Sequence, residues 1–248
     1  GDLGPKDIAV YIGIPFCPTR CAYCSFVSQS VEKSFSLVDP YVDALAAEIE
    51  AGGRMARETG LNVRAMYMGG GTPTTLTAPQ LDRVLTAFET AFGPALDACG
   101  EITVEAGRPD TITAEKLAVL KAHGVHRISV NPQTMEESVL RAIGRRHSPG
   151  DIEEAMELAA KCGFPHVNMD LIAGLPEDTA EALPGVWHGQ RYRPHPGAEK
   201  GQPHPAGGPG HPRPGGGGRN AGLRGARPAG SGIRPLLPLP AEIYVRQF

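Results

Sequence analysis

Up to Ala182 the apolar positions alternate between two kinds of run, and beyond it they follow no period. Strand-like runs lie at IAVYIGI (8–14), VRAMYMG (63–69), EITVEA (101–106), HRISVN (126–131) and HVNMDLIA (166–173). They are close to continuous in apolar residues, as in a parallel sheet covered on both faces. Between them, helical spacing predicts DPYVDALAAEIEAGGRMARE (39–58), APQLDRVLTAFETAF (78–92), TAEKLAVLKAHG (113–124), a short MEESVLRAIG (135–144) and SPGDIEEAMELAAKCG (148–163). Thr77, Thr113 and Ser148 stand where N-caps belong, and Gly124 and Gly163 where helices end. Strand–helix alternation predicts right-handed crossovers and an α/β fold with a parallel barrel or open sheet.

Residues 183–248 hold 12 of the 24 prolines, are rich in glycine and show no burial pattern. Such a stretch cannot bury enough apolar surface to offset chain entropy, so a disordered tail is expected behind a core of residues 1–182. Charge divides the chain at the same place. The tail carries 2 acidic and 9 basic side chains, about +7, and the core 25 and 15, about −10. The net charge of −3 gives no reason to expect nucleic-acid binding. There is no 18-residue apolar run and no charged-then-apolar leader, so no membrane partner is expected and the reading is cytoplasmic.

Candidate chemistry sits just after the first strand. In GIPFCPTRCAYCSF, Cys17, Cys21 and Cys24 are spaced C-x3-C-x2-C. No fourth Cys or His lies nearby to complete a structural zinc site, and three close thiols cannot all pair as disulfides. Three soft sulfur ligands suit a [4Fe–4S] cluster with one iron left open. The remaining Cys99 and Cys162 read as packing residues near helix ends, and the eight histidines show no paired metal-binding spacing.

That loop, with Tyr23 before its last cysteine, resembles the radical S-adenosylmethionine (SAM) superfamily. Five further words narrow the likeness: YIGIPFC (11–17), GGGTPT (69–74), EITVEAGRPDTIT (101–113), RISVNPQTM (127–135) and NMDLIAGLP (168–176). Together, over roughly residues 8–182, they resemble the oxygen-independent coproporphyrinogen III oxidases, and within them the HemZ-type dehydrogenase branch. Haem chaperones and other radical SAM proteins share much of this pattern. The resemblance implies a partial (β/α)6 barrel, of which five strands are visible. It also implies a cluster on Cys17, Cys21 and Cys24, and SAM contacts from Tyr11, Tyr23, Gly70, Gly71, Thr72, Glu105, Gln133, Arg145 and Asp170. Position 13 is Gly, where many of these oxidases carry His.

The implied reaction begins with SAM chelated to the open iron and cleaved by one electron from a flavodoxin- or ferredoxin-type donor. The resulting 5′-deoxyadenosyl radical removes hydrogen from a propionate of the tetrapyrrole coproporphyrinogen III, and loss of CO2 leaves a vinyl group. A haem-binding chaperone, or a radical SAM enzyme with another substrate, stands as the alternative. No protein general base is implied. The tail has a further reading as frameshifted translation. Shifted by one nucleotide, VWHGQRYRPHPGAEKG is codon-compatible with a strand and turn, and IRPLLPLPAEIYVRQF with a second segment resembling the family's downstream text. On that reading, and without an initiator Met, the chain is expected to be a fragment, inactive on its own.

Overall fold

A computed structural model of the chain describes residues 3–25 and 29–178 and the backbone of Ala241–Gln247. One parallel sheet organises them, in the order β1 (Asp7–Ile14), β2 (Asn62–Gly70), β3 (Glu101–Gly107), β4 (Arg127–Val130), β5 (His166–Ala173) and β6 (Ala241–Gln247). The first five follow chain order because each is joined to the next by a helical crossover on one side. The crossovers are α1 (Val38–Thr59), α2 (Ala78–Phe92), α3 (Ala114–Ala122) and the pair α4 (Glu137–Ala142) and α5 (Pro149–Lys161).

Capping residues define the helix ends. Thr77 and Ser148 each close a reciprocal capping box, with Gln80 and Asp151, and the Thr113 side chain accepts from the Lys116 amide. Gly124 and Gly163 take φ of 65° and 68°, the left-handed backbone that lets a helix stop. Helix α1 turns one stripe inward, including Val42, Leu45, Ile49 and Ala56, at the spacing of a single helical face.

The sheet differs from expectation in its two faces. Ile12, Met66, Met68, Val104, Ile128 and Met169 are at most 2% exposed in the core on the helix side. Their neighbours in sequence point the other way, and these are polar or aromatic. Tyr11, Tyr67, Thr103 and Arg127 form one row in register, and Glu105, Ser129 and Asn168 the next. The sheet is therefore half covered, with helices on its apolar face and a polar trough on the other.

A second correction concerns the tail. Residues 241–247 run parallel to β5, pairing Val167 with Ala241 through Ala173 with Gln247. The five strands visible in the sequence form, a sixth comes from the tail, and this part of the tail is not without contacts. AEIYVRQ is rich in β-branched and aromatic residues, which suits an edge strand. The expected disorder and shifted frame over 183–240 fall outside the described residues.

Candidate functional site

Parallel strands bring the chain segments that leave them to one edge of the sheet, and the sequence motifs converge there. The cysteine loop leaves β1, the glycine run leaves β2, and Gln133 follows β4. Backbone bonds staple the first two together: the Gly71 amide donates to Ile14 O at 2.7 Å and the Thr72 amide to Phe16 O at 2.8 Å. Cys17 Sγ lies 3.5 Å from Thr72 Oγ1. Cys17 and Cys24 are half-buried and Cys21 is buried, and none of the three is in a disulfide. Cys99 and Cys162 lie at the opposite edge, just before β3 and just after α5, out of reach of the loop.

Among the described residues, no three such side chains close on a single metal ion. A four-iron cube asks for something else, because each cysteine binds a different iron and the thiols must stand apart. Three soft donors on one loop, none of them in a disulfide, beside a glycine that keeps the neighbouring backbone against Cys17, fit that group.

Glu105 occupies the trough beside the glycines. Its Oε2 accepts from the Gly70 amide at 3.3 Å, and a Cβ on Gly69 would lie 2.8 Å from the same oxygen. The Tyr67 hydroxyl bonds Glu105, and its pKa is raised by burial first and then by that carboxylate. Tyr11 stacks on Tyr67 with ring centroids 6.1 Å apart, and its own hydroxyl is raised by burial and by Glu105. Asp170 is half-buried on the trough side of β5, between Met169 and Leu171, which face the core. Gln133 has φ of 71°, a strained backbone for a non-glycine. Its amide donates to Asp170 O at 3.0 Å and its carbonyl accepts from the Ile172 amide at 2.8 Å, which docks it against β5.

Arg145 is 7% exposed and turned inward. It donates to Tyr23 Oη at 2.8 Å and to Asn131 O at 3.1 Å, while its Nε and the Asn131 Oδ1 have no partner. Tyr23 is pushed up to about 12, by burial foremost and against the pull of Arg145. The structure thus brings Tyr11, Gly70, Gly71, Thr72 and Glu105 to one side of the mouth, and Tyr23, Gln133, Arg145 and Asp170 to the other.

Three residues beneath the loop, and Thr19 within it, were not singled out from the sequence. Arg108 is 1% exposed and grips Asp110 with Nε at 3.0 Å and Nη2 at 2.9 Å. Although burial pushes the Asp110 carboxyl up, the Arg108 hydrogen bonds and charge hold it below its usual range. Thr19 links Arg108 to the cysteine loop. His147 is buried beside them, its Nδ1 4.0 Å from Asp110 Oδ1. It is pushed down to about 4 by burial, with the Arg145 charge adding to this and Asp110 opposing it. The only sequence signal was the short R-P-D step after Gly107, and it does not reveal a partner 89 residues away.

Soft donors and a glycine cradle at the mouth of a half-covered parallel sheet are the working parts of a domain that pairs an iron–sulfur cluster with an adenosyl cofactor. Residues 11–186 match the family model of the radical SAM superfamily, and the chain belongs to that superfamily. Its cofactors are a [4Fe–4S] cluster and SAM. It is 44% identical over 170 residues to the oxygen-independent coproporphyrinogen-III oxidase-like protein HemZ of Bacillus subtilis, covering 68% of this chain and 34% of that protein. It is 37% identical over 175 residues to the heme chaperone HemW of the same organism, covering 71% and 45%. Coproporphyrinogen III oxidase (HemN) from Escherichia coli superposes with a TM-score of 0.65 at 30% identity, covering 73% and 40%. The chain therefore spans between a third and a half of these relatives. No helix among the described residues is long and apolar enough to cross a membrane.

Proposed function

We propose that this chain carries the cofactor-binding core of an oxygen-independent coproporphyrinogen dehydrogenase, which converts coproporphyrinogen III to protoporphyrinogen IX. The observation that carries this reading is the 44% identity to HemZ over 170 residues. When bound, cluster and SAM supply radical chemistry at an unactivated carbon. The chain's own residues bind and orient. Cys17, Cys21 and Cys24 hold three irons, and Gly70, Gly71 and Thr72 present backbone to the amino-acid end of SAM. Glu105 and Asp170, on the trough side of β3 and β5, accept from its ammonium or ribose hydroxyls, with Tyr11 and Gln133 in the same site. Arg145 and Tyr23 form the inner wall. The electron comes from a flavodoxin- or ferredoxin-type donor, and the reaction is cytoplasmic.

A haem chaperone is the second reading, favoured by the 37% identity to HemW. Product analysis separates the two. The frame-corrected longer protein, given coproporphyrinogen III, SAM and a reductant without oxygen, should release CO2 and a vinyl product; haem transfer without vinyl product would establish the chaperone instead. The cluster assignment has its own test. Anaerobically reconstituted protein should bind about four irons, and alanine at Cys17, Cys21 or Cys24 should abolish this, whereas Cys99→Ala and Cys162→Ala should not.

A further inference from the structure

The cysteine loop is gripped from below at one residue, Thr19, which lies between Cys17 and Cys21. Its Oγ1 accepts from Arg108 Nη1 at 2.6 Å and donates to Gly144 O at 3.1 Å. The hydroxyl thereby joins the exit of β3 to the exit of α4 through the middle of the loop. One turn further along, the Ala22 amide donates to Ile143 O at 3.0 Å. Arg108 cannot wander, because it is 1% exposed and its other nitrogens are fixed on Asp110 in a bidentate fork.

We propose that Thr19 is a positioning residue for the cluster: held by the Arg108–Asp110 fork and by Gly144, it keeps the loop in the cluster-binding form before iron arrives and restrains it afterwards. The physical reason is entropic. Five residues of chain, Cys17 to Cys21, otherwise link the Phe16–Thr72 bond to the Ala22–Ile143 bond, and ordering them during metal binding would be charged against affinity. A cluster with one iron unligated by protein is also the kind that sheds that iron when its three cysteines drift apart. The inference rests on the three-cysteine assignment and is independent of the substrate.

The test compares Thr19→Val, which keeps the shape and removes the hydroxyl, with Thr19→Ser, which keeps the hydroxyl. The apo Thr19→Ser protein should melt close to wild type, and apo Thr19→Val somewhat below it, because Arg108 Nη1 loses a buried partner. After anaerobic reconstitution, Thr19→Val should lose iron to a chelator about tenfold faster and show more of the three-iron signal by EPR, and Thr19→Ser should restore wild-type behaviour. Arg108→Lys keeps the buried charge and breaks the fork; it should mimic Thr19→Val, and the two together should be no worse than either alone. Wild-type iron retention in Thr19→Val, failure of Ser to rescue, or additive effects of the two changes would overturn the proposal. A wild-type protein that takes up no iron would instead overturn the cysteine assignment.

Discussion

Gly71 has no room for a side chain. A Cβ there would sit 2.6 Å from Phe16 O, 2.9 Å from Ile14 O and 3.0 Å from Cys17 Sγ, so the second strand's exit can lie against the cysteine loop only as glycine. That requirement was legible in the GGG run, as the cluster was in the cysteine spacing, because both are local in sequence. Thr19, Arg108 and His147 were not legible, since their roles arise from contacts between segments far apart in the chain. Glu105 lies between these cases: its place at a strand end was readable, its bond to the Gly70 amide was not. Removing a hydrogen bond to a charged or polar ligand group costs roughly 1.5–3 kcal/mol. Glu105→Ala and Asp170→Ala should each weaken SAM binding by that amount in calorimetry with iron content unchanged, and unaltered affinity in both would take them out of the cofactor site.

At the scale of elements the pattern was read well in length and poorly in facing. Ala78–Phe92 and His166–Ala173 form as predicted to the residue. The one-sided sheet was missed because Tyr11 and Tyr67 read as apolar although they face the trough, and glycines or Ala65 fill other trough-side positions. In hindsight Thr103 and Glu105, Arg127 and Ser129, and Asn168 and Asp170 keep the period of two that a half-covered strand requires. The helices carry a sharper contrast in two adjacent glycines. A Cβ on Gly53 would meet Ala91 C and O at 2.5 Å, whereas on Gly52 its nearest neighbour is Phe92 Cζ at 3.9 Å. Alanine gains up to ~1 kcal/mol in a helix interior, and overpacking costs ~1–3 kcal/mol. Gly52→Ala should therefore raise the urea midpoint and Gly53→Ala lower it; the same sign for both would mean that α1 and α2 do not meet there.

The whole molecule inherits a pH dependence from the pocket under the loop. His147 titrates near 4 in the fold against 6.5 when unfolded. Between those values the unfolded chain binds the extra proton, so stability falls as pH falls through that window, by ~1.4 kcal/mol per unit and about 3 kcal/mol in all. Urea denaturation of wild type and His147→Leu across pH 6.5 to 4 should show this slope in wild type and its loss in the variant; parallel curves would remove His147 as its source. The frameshift reading is tested at the same scale. We propose that restoring one reading frame after Ala182 raises soluble yield and strand content, an idea that equal yields from both genes would sink. Length also governs the site from inside the sheet. Between Glu105 and Gly107 the pairing of β3 with β4 slips, so that Glu105 faces Ser129 while Gly107, not Ala106, faces Val130. A chain one residue shorter at Ala106 would run a more regular ladder, yet it would draw Arg108 back by one strand step, about 3.3 Å, and empty the 2.6 Å grip on Thr19. For this protein a single-codon deletion that tidies the sheet would cost the cysteine loop its Arg108 contact.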